Sequence, residues 1–153
     1  EVSVPASDSR RDEEEIRELI RAQAHRLSWA PDRPADWAAY GEAFLPGATM
    51  IASARPVRPQ SVDAFLGRMQ ELSRGSLRSF EEKALGGAVH IFGNVAVALV
   101  AGETRENGSE INRDVSGYLL VKEGGRWRIA AQAWDKEKPG QEIPPPLLAE
   151  HGS

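Results

Sequence analysis

Asp114, Tyr118 and Asp135 are the residues of this 153-residue chain whose types and spacing suit proton-transfer chemistry, with His90 as a further base. A carboxylate can take a proton, a phenol can donate to the oxyanion that forms, and a carboxylic acid held neutral beside another carboxylate can assist. In that scheme Asp114 is base or acid, Tyr118 the oxygen donor and Asp135 the partner carboxylate. Each residue also has a plainer reading. The two aspartates fit strand ends in water near Arg113, Arg128 or Lys136, Tyr118 fits a core or interface aromatic, and His90 fits an exposed position before a tight turn. Glu81 and Glu82 point to opposite faces of one strand, so at most one reaches an interior, as a reserve acid.

Other chemistries find little support. There is no cysteine, which excludes disulfides, thiolate metal sites and cysteine nucleophiles. His25, His90 and His151 have no ligand spacing, so no metal is expected. No G-x-G-x-x-G, P-loop or G-x-S-x-G motif occurs, and no cofactor is expected. Lys plus Arg number 19 against 23 Asp plus Glu, a formal charge of -4, which argues against a nucleic-acid surface. No apolar run reaches membrane-spanning length, so no membrane association is expected and a cytoplasmic location is the expectation.

The elements that must position these residues follow from periodicity. Residues 1–11 read as a loose tail, and structure is expected from Asp12. Ile16, Leu19, Ile20, Gln23 and Leu27 then share one helical face. Pro31 and Pro34 separate this helix from a short second one, with Asp32 or Asp36 near its start, Trp37, Tyr40, Gly41 and Phe44 on one face, and Pro46-Gly47 at its end. A short strand over 49–52 precedes a third helix capped by Ser61, with Val62, Phe65, Leu66, Met69 and Leu72 as its stripe and Gly75 as its stop. From Leu77 the period becomes 2, giving strands at 77–91, 95–105, 110–122 and 127–135 with turns at Gly93-Asn94, Asn107-Gly108 and Gly124-Gly125. Gly86-Gly87 predicts a bend or bulge. Residues 137–153, with Pro144, Pro145 and Pro146, read as an extended tail. Helices followed by a meander of strands make an α+β fold, one domain over 12–136.

Two-residue turns predict which side chains share a face. Glu123 opposite Arg126 pairs Leu120 with Ile129, Tyr118 with Ala131, Ser116 with Ala133 and Asp114 with Asp135. The Asn107-Gly108 turn pairs Ala101 with Asp114, Leu99 with Ser116 and Val97 with Tyr118, and Gly93-Asn94 pairs His90 with Val97. One face then carries His90, Asp114, Ser116, Tyr118 and Asp135 among Ala88, Val97, Leu99, Leu120 and Ile129. The other carries Val89, Ile91, Ala98, Val100, Val115, Leu119, Val121, Gln132 and Trp134. Both faces are apolar enough to need a cover, one from the helices and the other from a second copy, which predicts a homodimer through the sheet; Trp134 is then either a dimer anchor, which this sorting favours, or a pocket wall. A one-residue error in any turn would swap the sets. The mixed face is the pocket candidate, with Trp37, Tyr40, Phe44, Met50, Phe65, Met69 and Ser116 as its ligand-binding lining, although the helix aromatics equally suit plain packing.

The opening helix, the Trp37 to Ala48 segment, "IFGNVAVALVAG" and "SGYLLVKEGGRWRIAAQAWD" resemble the NTF2-like superfamily, and within it SnoaL-like and DUF4440-like bacterial proteins. The resemblance covers roughly residues 12–136 and rests on structural rather than catalytic segments. It implies a cone-shaped α+β barrel of three helices packed in a curved antiparallel sheet, a pocket at the open end and a homodimer. Three functions fit: a pocket that binds a small apolar ligand, which leads; a cofactor-independent isomerase, dehydratase, cyclase or epoxide hydrolase; and a non-catalytic interaction module.

Overall fold

The computed structural model describes residues 6–149, so the first residues of the expected leading tail, and His151, lie outside the described part. Helix α1 spans Ala6–Leu27 and thus starts earlier than the acidic run at Asp12 suggests. The reason lies at Asp12 itself, which is buried and accepts hydrogen bonds from Lys122 Nζ (2.9 Å) and Trp127 Nε1 (3.0 Å). Burial works to raise its pKa, but those two hydrogen bonds outweigh it and hold the carboxyl below its ordinary range. An acid that reads as a helix start is instead an internal tie between the helix and the last hairpin.

Helix α2 spans Trp37–Glu42 and is capped by Asp36, whose carboxylate accepts from Ala39 N. Strand β1, Phe44–Ile51, follows at once, so Pro46-Gly47 sits inside it at an irregular step rather than ending a helix. Strand β2 is only Gln60–Ser61, and helix α3 spans Val62–Arg74 with Ser61 as its cap. Its stripe is buried or half-buried as far as Met69, but Leu72 is exposed. The meander is β3 (Phe80–Phe92), β4 (Val95–Glu106), β5 (Glu110–Glu123) and β6 (Arg126–Lys136). No helix of the described residues is long and apolar enough to cross a membrane.

The strand order is β2-β1-β6-β5-β4-β3. The sheet is therefore open, with β2 and β3 at its edges, and it is not the closed barrel that the family resemblance implies. Nor is it wholly antiparallel, because β1 runs parallel to β6. Helices cover its inner face and form a cup. Trp29 stacks on Phe80 and tilts against Trp37, while Tyr40 packs on Phe44 and Phe65, and Phe65 meets Trp134 edge-on. With Ile16, Met50, Leu120 and Ile129 fully buried, these rings fill the deep part of the cup.

Two single-residue offsets decide which residues face inward. The β4–β5 connection has three residues, not two. Asn107 (φ 49°) and Gly108 (φ 77°) make the turn, Ser109 N bonds Glu106 O, and Glu106 pairs with Glu110. Asn107 is held by the segment before β3, accepting from Arg78 N and Ser79 N and donating to Ser76 O. The second offset is a bulge in β6, where Leu120 faces Ile129 as expected but Leu119 faces Ala131, leaving Ala130 as the extra residue. Ile129 and Gln132 are both buried on the inner side, and three positions apart they reach one face only across such a bulge. A third shift, at Leu85, is the bend predicted at Gly86-Gly87, one position early.

The faces re-sort accordingly. Tyr118 stands between Ala98 and Gln132, Ser116 between Val100 and Trp134, and Asp114 between Gly102 and Lys136. Val97, Leu99 and His90 turn to the outer face, and Asp135 goes with them, opposite Val115. Trp134 packs inward against Phe65 and is no outer-face anchor.

The chain after β6 is not simply extended. It ends in a single helical turn, α4 (Pro145–Leu148), whose Leu147, with Ile143, packs over Ala101 beside Leu85, Ala88 and Val115. Gly86 permits that approach, since a Cβ there would lie 2.5 Å from Ala149 O.

Candidate functional site

Between α1, α2 and the inner sheet face remains a cavity of about 20 Å³, room for roughly one water molecule. Its polar lining is Gln23, Tyr40, Glu82, Lys83, Asp114, Ser116, Tyr118 and Gln132. Period 2 along β5 delivers Asp114, Ser116 and Tyr118 to it. The bulge at Ala130 delivers Gln132, whose Nε2 donates to Ser116 Oγ and Tyr118 OH, both at 3.3 Å.

Glu82 is placed by the residues after α1. Ser28 Oγ donates to Ala24 O (2.9 Å) and accepts from Glu82 N (2.9 Å). Beside it, Trp29 and Phe80 exchange backbone hydrogen bonds of 2.8 and 2.9 Å. These contacts pin the start of β3 so that Glu82 lines the cavity. Asp114 fits because Gly102 opposite has no side chain, its Oδ1 lying 3.1 Å from where a Cβ would be.

The electrostatics separate the two carboxyls. Burial, and then the negative charge of Asp114, push Glu82 up to about 8. Burial raises Asp114 to about 6, with Lys136 opposing. Burial and the charge of Glu82 also raise Tyr118, and the Tyr40 hydroxyl rises for the same two reasons. At neutral pH, Asp114 is therefore mostly ionised and Glu82 mostly protonated, a base and an acid facing one space.

Of the four residues read from the sequence as catalytic, Asp114 and Tyr118 meet here. Asp135 is exposed, accepting from Lys136 N and Gln141 Nε2, which hold its carboxyl low. His90 is exposed on the outer face. Of the ligand-binding candidates, Tyr40 and Ser116 line the cavity, while Trp37, Phe44, Met50, Phe65 and Met69 pack in the core. Glu82 takes the place given to Asp135, and the signal for it is that Glu81 and Glu82 alternate along one strand, so that at most one of them reaches the interior. Gln132 was sorted to the wrong face. Among the described residues no group of three His, Cys, Asp or Glu side chains could hold a metal ion.

A second, more open cleft of about 210 Å³ shares Glu82 and Lys83 as a wall and is otherwise lined by His25, Ser28, Arg33, Glu81, Glu103 and Arg105. On the opposite side of the sheet a shallow apolar groove of about 520 Å³ runs over Val97, Leu99, Leu119, Ala131 and Ala133.

No protein-family model and no curated protein matches the sequence. Solved structures do match in shape. A protein of unknown function from Mycobacterium tuberculosis superposes with a TM-score of 0.70 at 14% identity, covering 93% of this chain and 82% of its own. An NTF2-like protein of unknown function from Pseudomonas putida gives 0.66 at 15% identity, covering 87% and 93%. A cystatin-like-fold protein of unknown function from Nostoc punctiforme gives 0.67 at 11%, covering 89% and 96%. At these identities the likeness is one of fold, and the fold of this chain is the NTF2-like, cystatin-like cup.

Proposed function

We propose that the protein is a cofactor-independent acid–base catalyst acting on a small oxygenated molecule. The observation that carries this is the pair of carboxyls, Glu82 and Asp114, lining one cavity with opposite protonation preferences. Asp114 takes a proton from carbon next to a carbonyl, and protonated Glu82, with the Tyr118 hydroxyl, donates to the oxygen on which charge develops. Returning the proton from Asp114 to the same carbon completes an exchange, and returning it to the far carbon of a conjugated enol completes an isomerisation. The aromatic filling of the cup weighs against the pocket for a bulky apolar ligand expected from the sequence. The reading requires the carbonyl oxygen to take the water-sized cavity and the rest of the molecule to lie in the cleft that shares Glu82 and Lys83 with it. The SnoaL-like affinity of the sequence segments is part of this reading.

The test is deuterium uptake from D2O by a panel of small cyclic and open-chain ketones, followed by mass spectrometry. Wild-type protein is expected to label the position next to the carbonyl, and Asp114→Asn to lose about 10²-fold or more of that rate. Absence of uptake across the panel, or equal uptake by Asp114→Asn, overturns the proposal.

We further propose that a second copy of the chain covers the outer sheet face. Val97, Leu99 and Leu119 there are 49%, 47% and 42% exposed and adjacent, an apolar patch of the kind that marks an interface. Light scattering at micromolar concentration should give twice the chain mass, and Leu99→Lys should halve it. A monomeric wild type rejects this interface.

A further inference from the structure

We infer that the cleft outside Glu82 is a subsite for an organic carboxylate, held by Arg33 and Arg105. This deepens the acid–base reading by naming the substrate class of the same site, a small acid whose carboxylate anchors it while its carbonyl meets Glu82.

Charge pairing around the cleft supports the assignment. Its charged or titratable lining is His25, Arg33, Lys83 and Arg105 on one side of the balance and Glu81, Glu82 and Glu103 on the other. Glu103 is already matched twice, by Lys83 at 3.4 Å and by Arg113 at 3.1 Å. Those contacts hold its carboxyl low and also occupy Lys83. Burial keeps Glu82 largely protonated at neutral pH, so it does not repel an anion. Arg33 and Arg105 have no ion-pair partner among the described residues. Glu81, opposite Arg105 in the strand pairing, is exposed and forms no ion pair within 4.0 Å. The Arg33 backbone is fixed, because it and Ala30 exchange two backbone hydrogen bonds (2.8 and 3.0 Å) across a tight turn, and its exposed side chain extends from that point. Two guanidinium groups flanking a cleft suit the planar, two-oxygen geometry of a carboxylate.

The experiment is an NMR titration of the ¹⁵N-labelled protein with benzoate, with benzamide as the uncharged analogue and with inorganic phosphate. Benzoate is expected to saturate and to shift amides around Arg33, Glu82 and Arg105, with benzamide at least tenfold weaker. An Arg33→Gln/Arg105→Gln double variant should weaken benzoate at least tenfold while its remaining spectrum stays native, and each single variant should fall between. Equal binding of benzoate and benzamide, no binding, shifts located elsewhere, or undiminished binding by the folded double variant overturns the inference. Phosphate binding without benzoate binding also overturns it, by moving the ligand class. The outcome is separable from the catalytic proposal. Deuterium uptake by neutral ketones without benzoate binding removes only the subsite, and benzoate binding without uptake removes only the catalysis.

Discussion

Trp29→Ala is expected to destabilise the protein by about 3–5 kcal/mol, the range for removing a large aromatic from a packed core. The ring is 3% exposed, stacks on Phe80 at 5.1 Å between centroids and lies 5.6 Å from Trp37. Its Nε1 donates to Leu77 O at 2.9 Å, and truncation leaves that carbonyl without the donor. The loss also reaches the site, because Ser28, the neighbour of Trp29, holds Glu82 N. Urea unfolding of the two proteins gives the difference. Trp37→Ala, at the half-buried end of the same cluster, should cost visibly less. A Trp29→Ala penalty no larger than that of Trp37→Ala would show that the β3 anchor does not depend on this ring.

The second large effect is electrostatic. Glu82 has an ordinary value of 4.5 when unfolded and about 8 when folded, so between these pH values the native state binds more protons than the unfolded one. The Glu82 contribution to stability is therefore greatest below about 4.5 and falls as pH rises, until the folded carboxyl has ionised above about 8. Asp114, raised from 3.8 to about 6, adds a loss of the same sign at lower pH. Glu82→Gln removes the larger titration. Each pH unit between folded and unfolded pKa corresponds to about 1.4 kcal/mol, and residual solvent contact trims the total, so a swing of about 2–3 kcal/mol is expected. Wild type and Glu82→Gln should be similarly stable near pH 5, with the variant clearly more stable near pH 9. Parallel stability curves across that range would show that Glu82 ionises normally. A variant that gains stability while losing the proposed donor is the pattern of a site kept at the expense of the fold.

Much of this was legible from residue pattern. The three longer helices, the cap Ser61, the four meander strands and the shared face of Asp114, Ser116 and Tyr118 follow from period and turn chemistry alone, while the choice of Asp36 over Asp32 as the α2 cap does not. The open edge was not, because Thr49 to Ala52 reads as a strand without saying which strand it joins. The composition of the site was only half legible. Asn-Gly is the signature of a two-residue hairpin, yet the Asn107 side chain is engaged by Ser76, Arg78 and Ser79, far away in sequence, and the loop takes a third residue. That one residue moves His90 to the outer face. The bulge at Ala130 then moves Asp135 out and Gln132 in. Face assignment has period 2, so one local irregularity exchanges every residue beyond it. The pairing of Glu82 with Asp114 needs all three strands in true register and could not be read from spacing.

The parallel pairing of β1 with β6 bears on how the chain reaches this state. The meander closes through short turns, Phe92 to Val95, Glu106 to Glu110 and Glu123 to Arg126, each a local contact. Met50 beside Gln132 instead joins distant parts of the chain, and the entropy of that loop must be met before its contacts form. The sheet can therefore assemble ahead of the strand and helix that cover Trp134. During that interval its inner apolar wall is open to water and to other chains, so the rate at which β1 and α3 dock sets how long the nascent molecule is prone to aggregate.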